Sequence, residues 1–380
     1  RSVSARLHGL AKIFVSFIQI FTHLAVTFTI PWPKEFLAMT NWPIFKVLNI
    51  DFAAILGAVN PCTMYTPFLQ RFVYHICLMP ILIFILLFFS IVIGVAVTKC
   101  KQGELERRER RAINQKMLKL INVIVFLMYP GLSVKIFSVF KCVEVDSGEF
   151  FLANDMSIQC FKPLYNSYAT VAVICVAFYV IGIPTLSLLV LYKNRKIISS
   201  SAKTLKKEKL DKSIGNLYAQ YKPKYYWWEC LEMVKKMMLT GGLILLSPGS
   251  SAQILLGILV VLMYLCLVLK YSPYNEDDDD FLQNVATGAI LLTLIGGLAL
   301  RADDAGEGYY ESKVMGSLFI FINVSIFVAF AYTFARSTAG IRGLIAGKKK
   351  QGPRARNKLS SVLPDEGSGF VTQPPPSPKP

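Results

Sequence analysis

The sequence predicts an all-α fold, a polytopic transmembrane helix bundle of about eight spans with a disordered C-terminal tail. Seven long apolar runs, with an eighth that is weaker, recur along the 380 residues, and an α-helix needs about 20 apolar residues to cross roughly 30 Å of hydrocarbon. Hydrophobic residues make up 54% of the chain and charged residues 17%, an apolar excess beyond what the core of a soluble domain needs. The loops between the runs alternate between basic and acidic character. The formal charge of +17 sits in patches beside the runs and in the tail. Positive-inside bias puts charge there, not on a nucleic-acid-binding face, so no nucleic-acid partner is expected.

The first run, 13–30, carries Gln19 and His23 and stops at Pro31-Trp32-Pro33, where a helix ends and an aromatic ring favours the interface. Further spans follow at 72–97, 118–140, 168–191, 226–246, 252–269, 281–300 and 314–335, so 1–335 reads as one transmembrane helical module. Segment 41–60 is interrupted by Lys46 and Asp51; its continuous apolar part is too short to span and suits an interfacial or re-entrant helix. Pro80 in the second span and Gly182-Ile183-Pro184 in the fourth can kink helices and free backbone carbonyls, although both residue types are simply common in membrane helices. Residues 336–380 form a basic, then Pro/Ser-rich tail ending near Pro374-Pro375-Pro376-Ser377-Pro378, a linker or an SH3-type ligand in polyproline II form. The chain opens with Arg1, as expected of a processed form or a fragment of something longer.

Orientation follows from Lys and Arg in short loops, because their translocation is disfavoured. Lys99, Lys101, Arg107, Arg108, Arg110, Arg111 and Lys116 lie between the second and third spans, and Lys193 through Lys212 supply eight more cations between the fourth and fifth. Both loops are therefore expected in the cytoplasm, against anionic inner-leaflet lipids. Eight spans put Arg1, Arg6 and the tail cations Lys348, Lys349 and Lys350 on that side too, so both ends are expected inside, with the plasma membrane as the site. The opposite loops are acidic: Glu144, Asp146, Glu149 and Asp155 in one, Asp303, Asp304, Glu307 and Glu311 in the other. The exception is Glu276-Asp277-Asp278-Asp279-Asp280, on the cytoplasmic side just before the seventh span. Carboxylates there offset a helix macrodipole, and they lack the alternating spacing of an EF-hand.

Of eight cysteines, Cys77, Cys175 and Cys266 fall within spans and read as small buried hydrophobes. Cys100 and Cys230 sit at the cytoplasmic edge, open to palmitoylation but without a specific motif. Cys62, Cys142 and Cys160 fall outside, and a Cys142–Cys160 disulfide would close the acidic loop over a short contour. That leaves Cys62 as a free thiol or for an upstream partner; a Cys62–Cys142 bridge is the alternative. His8, His23 and His75 show no metal-ligand spacing, and the chain holds no HExxH, CxxC, GxSxG or phosphate-cradling glycine loop. No enzyme activity, cofactor or metal is expected.

The densest unusual chemistry runs from Tyr221 to Lys236 into the fifth span. On a helix Glu229 and Glu232 stand one turn apart, and Glu232 reaches Lys235 at i+3 and Lys236 at i+4. Two readings stay open. In one, Tyr225, Tyr226, Trp227 and Trp228 form an interfacial aromatic belt and the lysines snorkel back to the headgroups. In the other, the four charges line a polar cavity or gate.

Tyr221-x-Pro223-x3-Trp227-Trp228-Glu229, Lys236, Leu239-Thr240-Gly241, Gln253, Ser272-Pro273-Tyr274 and Gly182-x-Pro184, with Asp155 and Cys160, resemble the C-terminal multi-span module of large surface proteins from algae, diatoms and oomycetes. Such modules are labelled TRP-like and are distantly similar to fungal TRP-like, polycystin-related membrane proteins. The resemblance spans about residues 10–335. It implies a cation channel, and a Cys-rich ectodomain with another span upstream, which would account for Cys62. The loop near Ser247–Ser251 is too short for a tetrameric TRP pore helix and filter. A groove within each protomer is expected instead, lined by the charged fifth span, with Asp303, Asp304 and Glu307 concentrating cations at its outer mouth. The rival expectation is a non-conducting anchor or receptor that couples the ectodomain to cytoplasmic partners. An intramembrane enzyme, lipid transporter or scramblase is the remaining class.

Overall fold

The computed structural model describes residues 3–48, 68–100, 103–145, 148–200, 204–245, 249–304 and 312–351. Helix α1 (Val3–Thr27) leads through the Pro31–Pro33 turn into two short helices, α2 (Lys34–Thr40) and α3 (Pro43–Leu48). Two long helices follow, α4 (Phe68–Cys100) and α5 (Glu104–Ser138), then three strands, β1 (Cys142–Val145), β2 (Glu149–Leu152) and β3 (Asp155–Gln159). Next comes a rod made of α6 (Pro163–Cys175), a π-helical segment (Val176–Ile181) and α7 (Gly182–Lys193). Helices α8 (Arg195–Ser199), α9 (Leu205–Tyr218), α10 (Trp228–Thr240), α11 (Ser251–Tyr271), α12 (Asp277–Asp304) and α13 (Ser312–Gln351) complete the chain. Residues 1–333 form one compact unit and 334–380 a second. The 52–59 segment, Cys62, Glu307 and the proline-rich tail lie outside the described residues.

Among the described residues, seven helical stretches are long and apolar enough to cross a membrane. By length and composition they are the spans of an integral membrane protein. Their outward faces carry large apolar side chains such as Phe84, Ile91, Phe178 and Phe321, a surface that only lipid or another apolar partner covers without cost. The fifth run differs from the others. It forms a 13-residue α-helix, α10, and then a short 3-10 turn, Gly242–Leu245. At 1.5 Å per residue α10 is about 20 Å long, and it packs against α1, α5, α7, α9 and α11.

Two aromatic-rich cores organise the compact unit. One gathers Phe17, Phe21, Phe36, Leu294 and Phe319 around α1, α2, α12 and α13. The other joins α4, α5 and α6 to the strands through Phe72, Ile136, Phe137, Leu152 and Tyr165. Trp32, expected at the interface, is buried and stacks on Phe36 with centroids 4.4 Å apart, because the proline turn folds α2 back onto α1.

The three strands are an addition to the expected all-α fold. They form an antiparallel sheet in the order β1-β2-β3, with Cys142 opposite Leu152. The predicted Cys142–Cys160 disulfide staples the sheet, with Cα atoms 6.5 Å apart. Asp155 ties the sheet to the bundle: its Oδ2 accepts the backbone N–H of Phe68, the first residue of α4, at 3.2 Å, and its Oδ1 accepts the Ser157 hydroxyl at 2.6 Å. The Ser157 hydroxyl, with the Phe68 amide behind it, holds the Asp155 carboxyl below its usual range.

The backbone bonds lost at Pro80 and Pro184 are both replaced. Proline lacks the N–H that would bond the carbonyl four residues earlier. For Pro184 that carbonyl is Val180, which accepts from the Tyr129 hydroxyl at 2.9 Å; for Pro80 it is Ile76, which accepts from the Tyr179 hydroxyl at 3.3 Å. A tyrosine from a neighbouring helix thus replaces each lost bond, as backbone in hydrocarbon requires. Two cysteine expectations need correction. Cys77 and Cys266 are exposed on outward helix faces, and Cys230 is buried, out of reach of acylation. The helical period turned the first two to the lipid side, while the third lies on the inward face of α10.

Candidate functional site

Helix α10 starts after the 3-10 turn Pro223–Tyr225 and presents Glu229, Glu232, Lys235 and Lys236 to its neighbours. All four are buried, Lys235 and Lys236 to 5% and 1% exposure, so the lysines do not snorkel. The reason is placement: helices surround α10, and its charged face turns into the bundle.

The charges are met by residues of α1, α5 and α11 and by one another. Lys12 of α1 reaches Glu229 Oε2 at 2.6 Å, and the same oxygen accepts from the Tyr221 hydroxyl at 2.9 Å and from Gln220 Nε2 at 3.1 Å. The other oxygen, Glu229 Oε1, has no hydrogen-bond partner among the described residues. Lys12 also donates to the Asn216 carbonyl at 2.9 Å, and beside it lies a cavity of about 130 Å³ whose walls include His8, Asn122, Phe126 and Asn216. Glu232 pairs with Lys235 at 2.8 Å and accepts the Tyr264 hydroxyl of α11. The Tyr264 ring lies 3.9 Å from the Lys235 ammonium, and its hydroxyl accepts from Trp228 Nε1 at 3.1 Å. Lys236 lies 3.9 Å from the Phe126 ring and donates to Gln19 Oε1 at 3.4 Å; Gln19 in turn donates to the Leu127 carbonyl of α5 at 2.8 Å. Three lysines, Lys12, Lys235 and Lys236, therefore face two glutamates in a low-dielectric interior. Leaving any of these charges unpaired in that interior is costly.

Two parts of the sequence array, the segment at Tyr221 and the Ser272-Pro273-Tyr274 turn, meet beside these charges. Tyr221 and Tyr274 form a backbone bridge with their rings 5.0 Å apart, and Lys222 N–H donates to the Pro273 carbonyl at 2.8 Å. Burial pushes the Tyr221 phenol well above its usual range, so it stays a donor to Glu229. Ser272 takes the left-handed conformation, φ 39°, that ends α11 and turns Pro273 and Tyr274 toward Tyr221. The acidic run opens α12, with Asp277 to Asp280 in its first turn, and Asp280 Oδ1 accepts Tyr274 N–H at 3.2 Å. Gln253 of α11 joins Thr27 of α1, donating to its carbonyl at 3.2 Å.

Of the expected aromatic belt, Trp228 is fully buried, Tyr225 and Tyr226 are half-buried, and Trp227 is exposed. Asp303 and Asp304 end α12, away from the α10 charges in sequence and element. Sequence reasoning missed Lys12 and Tyr264. A signal for Lys12 existed: His8, Lys12, Gln19 and His23 recur at helical spacing along one face of α1. Tyr264 gave none, because one tyrosine in an apolar helix is unremarkable.

A family model described as Transient receptor potential (TRP) ion channel matches residues 61–341. That range holds α10 and α11 and leaves out α1 with Lys12 and Gln19. The chain is also 24% identical over 251 residues to Cysteine repeat modular protein A of Toxoplasma gondii, a match that covers 60% of this chain and 8% of that protein. No solved structure matches the chain.

Proposed function

The chain belongs to the transient receptor potential (TRP) ion channel family, and from that premise we propose that it conducts cations along a path within each protomer, beside the charged face of α10. The observation that carries this reading is Glu229: a carboxylate with its side chain 1% exposed, one oxygen saturated and the other unpartnered among the described residues, held in a short α-helix that crosses only together with the 3-10 turn that follows it. An intramembrane ionisable group with spare ligand capacity marks an ion route more readily than an anchor. Only five residues separate Leu245 from Ser251, which supports a path within the protomer over a pore loop between these elements. In the present arrangement Lys12 and Lys235 occupy the carboxylates as tethered cations; a conducting arrangement requires Lys12 to leave Glu229. Both ends and the basic loops face the cytoplasm and its anionic lipids, at the plasma membrane, and the chain carries no enzymatic step.

The second reading is a non-conducting anchor for an upstream ectodomain. It draws on the cysteine repeats named in the Toxoplasma gondii relative and on the small share of that protein that the match covers. Purified chain in liposomes separates the two. Cation flux above that of empty vesicles, altered by Glu229→Gln, supports conduction; correctly folded protein without flux in any variant supports the anchor.

A further inference from the structure

A cavity of about 830 Å³ reaches the charged face of α10 from the end of the bundle where α9 lies. Lys119 and Asp211 on its rim are exposed, and Gln220 and Tyr221, both donors to Glu229 Oε2, stand in its wall. His8 and Asn216 belong to this cavity and also to the chamber of about 130 Å³ beside Lys12, which has room for several waters. Asn216 Nδ2 is a buried donor with no hydrogen-bond partner among the described residues, so the shared wall offers water a free N–H. The Lys12–Glu229 pair is thus one layer of side chains from solvent.

From Glu229 buried polar groups continue toward the opposite end of the bundle. Lys12 and Lys236 share the Phe126 ring, their ammonium nitrogens 4.7 and 3.9 Å from its centroid. The Thr240 hydroxyl donates to the Lys236 carbonyl at 2.7 Å, and the Thr27 hydroxyl donates to the Thr240 carbonyl at 2.6 Å. Gln253 Nε2 donates to the Thr27 carbonyl, and Gln253 Oε1 accepts Gly249 N–H at 3.0 Å. Thr27, Thr240 and Gln253 are all buried. Gly249 belongs to the loop before α11, so the ladder runs from the cavity at one end of α10 to the loop beyond its other end.

The balance of lysine over glutamate bears on what can travel this way. Three lysines against two glutamates leave the site net positive, and a metal cation entering a low-dielectric site of that sign is repelled. A proton is carried differently, because lysine and glutamate accept and release it, so its charge replaces one already present. We propose that the cation carried beside α10 is the proton, relayed by Lys12, Glu229 and Lys236 between the cavity and the Gly249 loop. The inference rests on the reading that a cation path runs beside α10 and names its cargo. A proton moves from Lys12 Nζ to Glu229 Oε2 across 2.6 Å: an N–H bond breaks, an O–H bond forms, and both groups become neutral, a state that a desolvated interior favours. Without the Coulomb attraction Lys12 leaves Glu229, and its amine takes a proton from water of the cavity. Glu229 passes its own proton, through water of the chamber, to Lys236 once that lysine has released one toward Thr240 and Gly249. A proton enters for each that leaves, and nothing is oxidised or reduced. Proton relays of dispersed acids and bases are a known use of intramembrane ionisable groups.

The test uses the full purified chain in liposomes loaded with potassium chloride and a pH-sensitive dye. Valinomycin in a potassium-poor, sodium-containing medium drives cations inward, and sister vesicles carry a sodium-sensitive dye instead. Wild type is expected to acidify its vesicles faster than the empty-vesicle rate. Lys236→Arg and Lys12→Arg keep the positive charge, but a guanidinium does not release its proton, so each is expected to slow acidification about tenfold or more. Elution volume and unfolding midpoint verify that the variants fold, and the two positions are independent, so a variant that aggregates leaves the other to decide. Acidification by wild type that is lost in a folded Arg variant supports the relay; acidification at the wild-type rate in a folded Arg variant overturns it. Sodium entry without proton entry overturns the inference and leaves the cation path of the proposed function standing. Entry of neither ion into vesicles that hold folded wild type overturns both.

Discussion

Lys12 and Glu229 are 217 positions apart in sequence and meet at 2.6 Å with side chains 9% and 1% exposed. Removing one partner of such a pair leaves a buried charge without compensation, which costs about 3–5 kcal/mol. Lys12→Met and Glu229→Gln are therefore each expected to lower the unfolding midpoint strongly. The double variant should cost less than the sum, which a double-mutant cycle in detergent would read directly. The tyrosine stitches are smaller. Tyr129→Phe and Tyr179→Phe each remove one hydrogen bond to a proline-freed carbonyl, with an expected loss of about 1 kcal/mol. Asp155 adds a pH dependence to the three-stranded sheet. Its folded-state pKa is depressed, chiefly by the Ser157 hydroxyl, so its contribution is present above the ordinary carboxylate value and is lost as pH falls through the lowered one. Amide-exchange protection of β3 and of the start of α4 should decline in acid for the wild type and be less pH-dependent in Asp155→Asn.

Helix α10 shows what a sequence can and cannot disclose about an element. The i+3 spacing of Glu232 and Lys235 predicted an ion pair, and the structure contains it. The run 226–246 looked like a span of ordinary length, yet it ends as an α-helix at Thr240. Gly241 explains the close approach behind that end: a Cβ there would lie 2.5 Å from Phe137 Cδ2 and 3.3 Å from the Ser133 carbonyl of α5. Gly241→Ala is expected to cost about 1–3 kcal/mol by overpacking, checked by thermal unfolding, whereas Gly288→Ala, inside a helix and meeting nothing within 4 Å, is expected to stabilise by up to about 1 kcal/mol. Apolar run length located the long helices because hydrocarbon thickness constrains it directly. The partners of the charges escaped, since Lys12 and Tyr264 become neighbours of α10 only through helix packing, which no local pattern records. The strands escaped for a smaller reason. The strands Cys142–Val145, Glu149–Leu152 and Asp155–Gln159 are four, four and five residues long, and Glu149-Phe-Phe-Leu does not alternate polar with apolar.

For the whole molecule, the long apolar helices enclose a short charged one, and the sheet with its disulfide sits at one end of α4 and α5. The proposed topology puts the α4–α5 connection, the α8–α9 segment and the tail on one side of the bilayer. Protease cleavage in sealed vesicles should reach all three from that side alone; cleavage of the tail and of the α8–α9 segment from opposite sides would contradict it. The central claim is that cations pass beside α10. Its most direct measurement is fluorescence-detected cation efflux from liposomes that contain purified wild-type chain or the Lys12→Met/Glu229→Gln pair. The account predicts efflux from wild-type vesicles above the empty-vesicle rate and a changed rate for the pair, both proteins remaining folded. Identical rates for wild-type, variant and empty vesicles would contradict it.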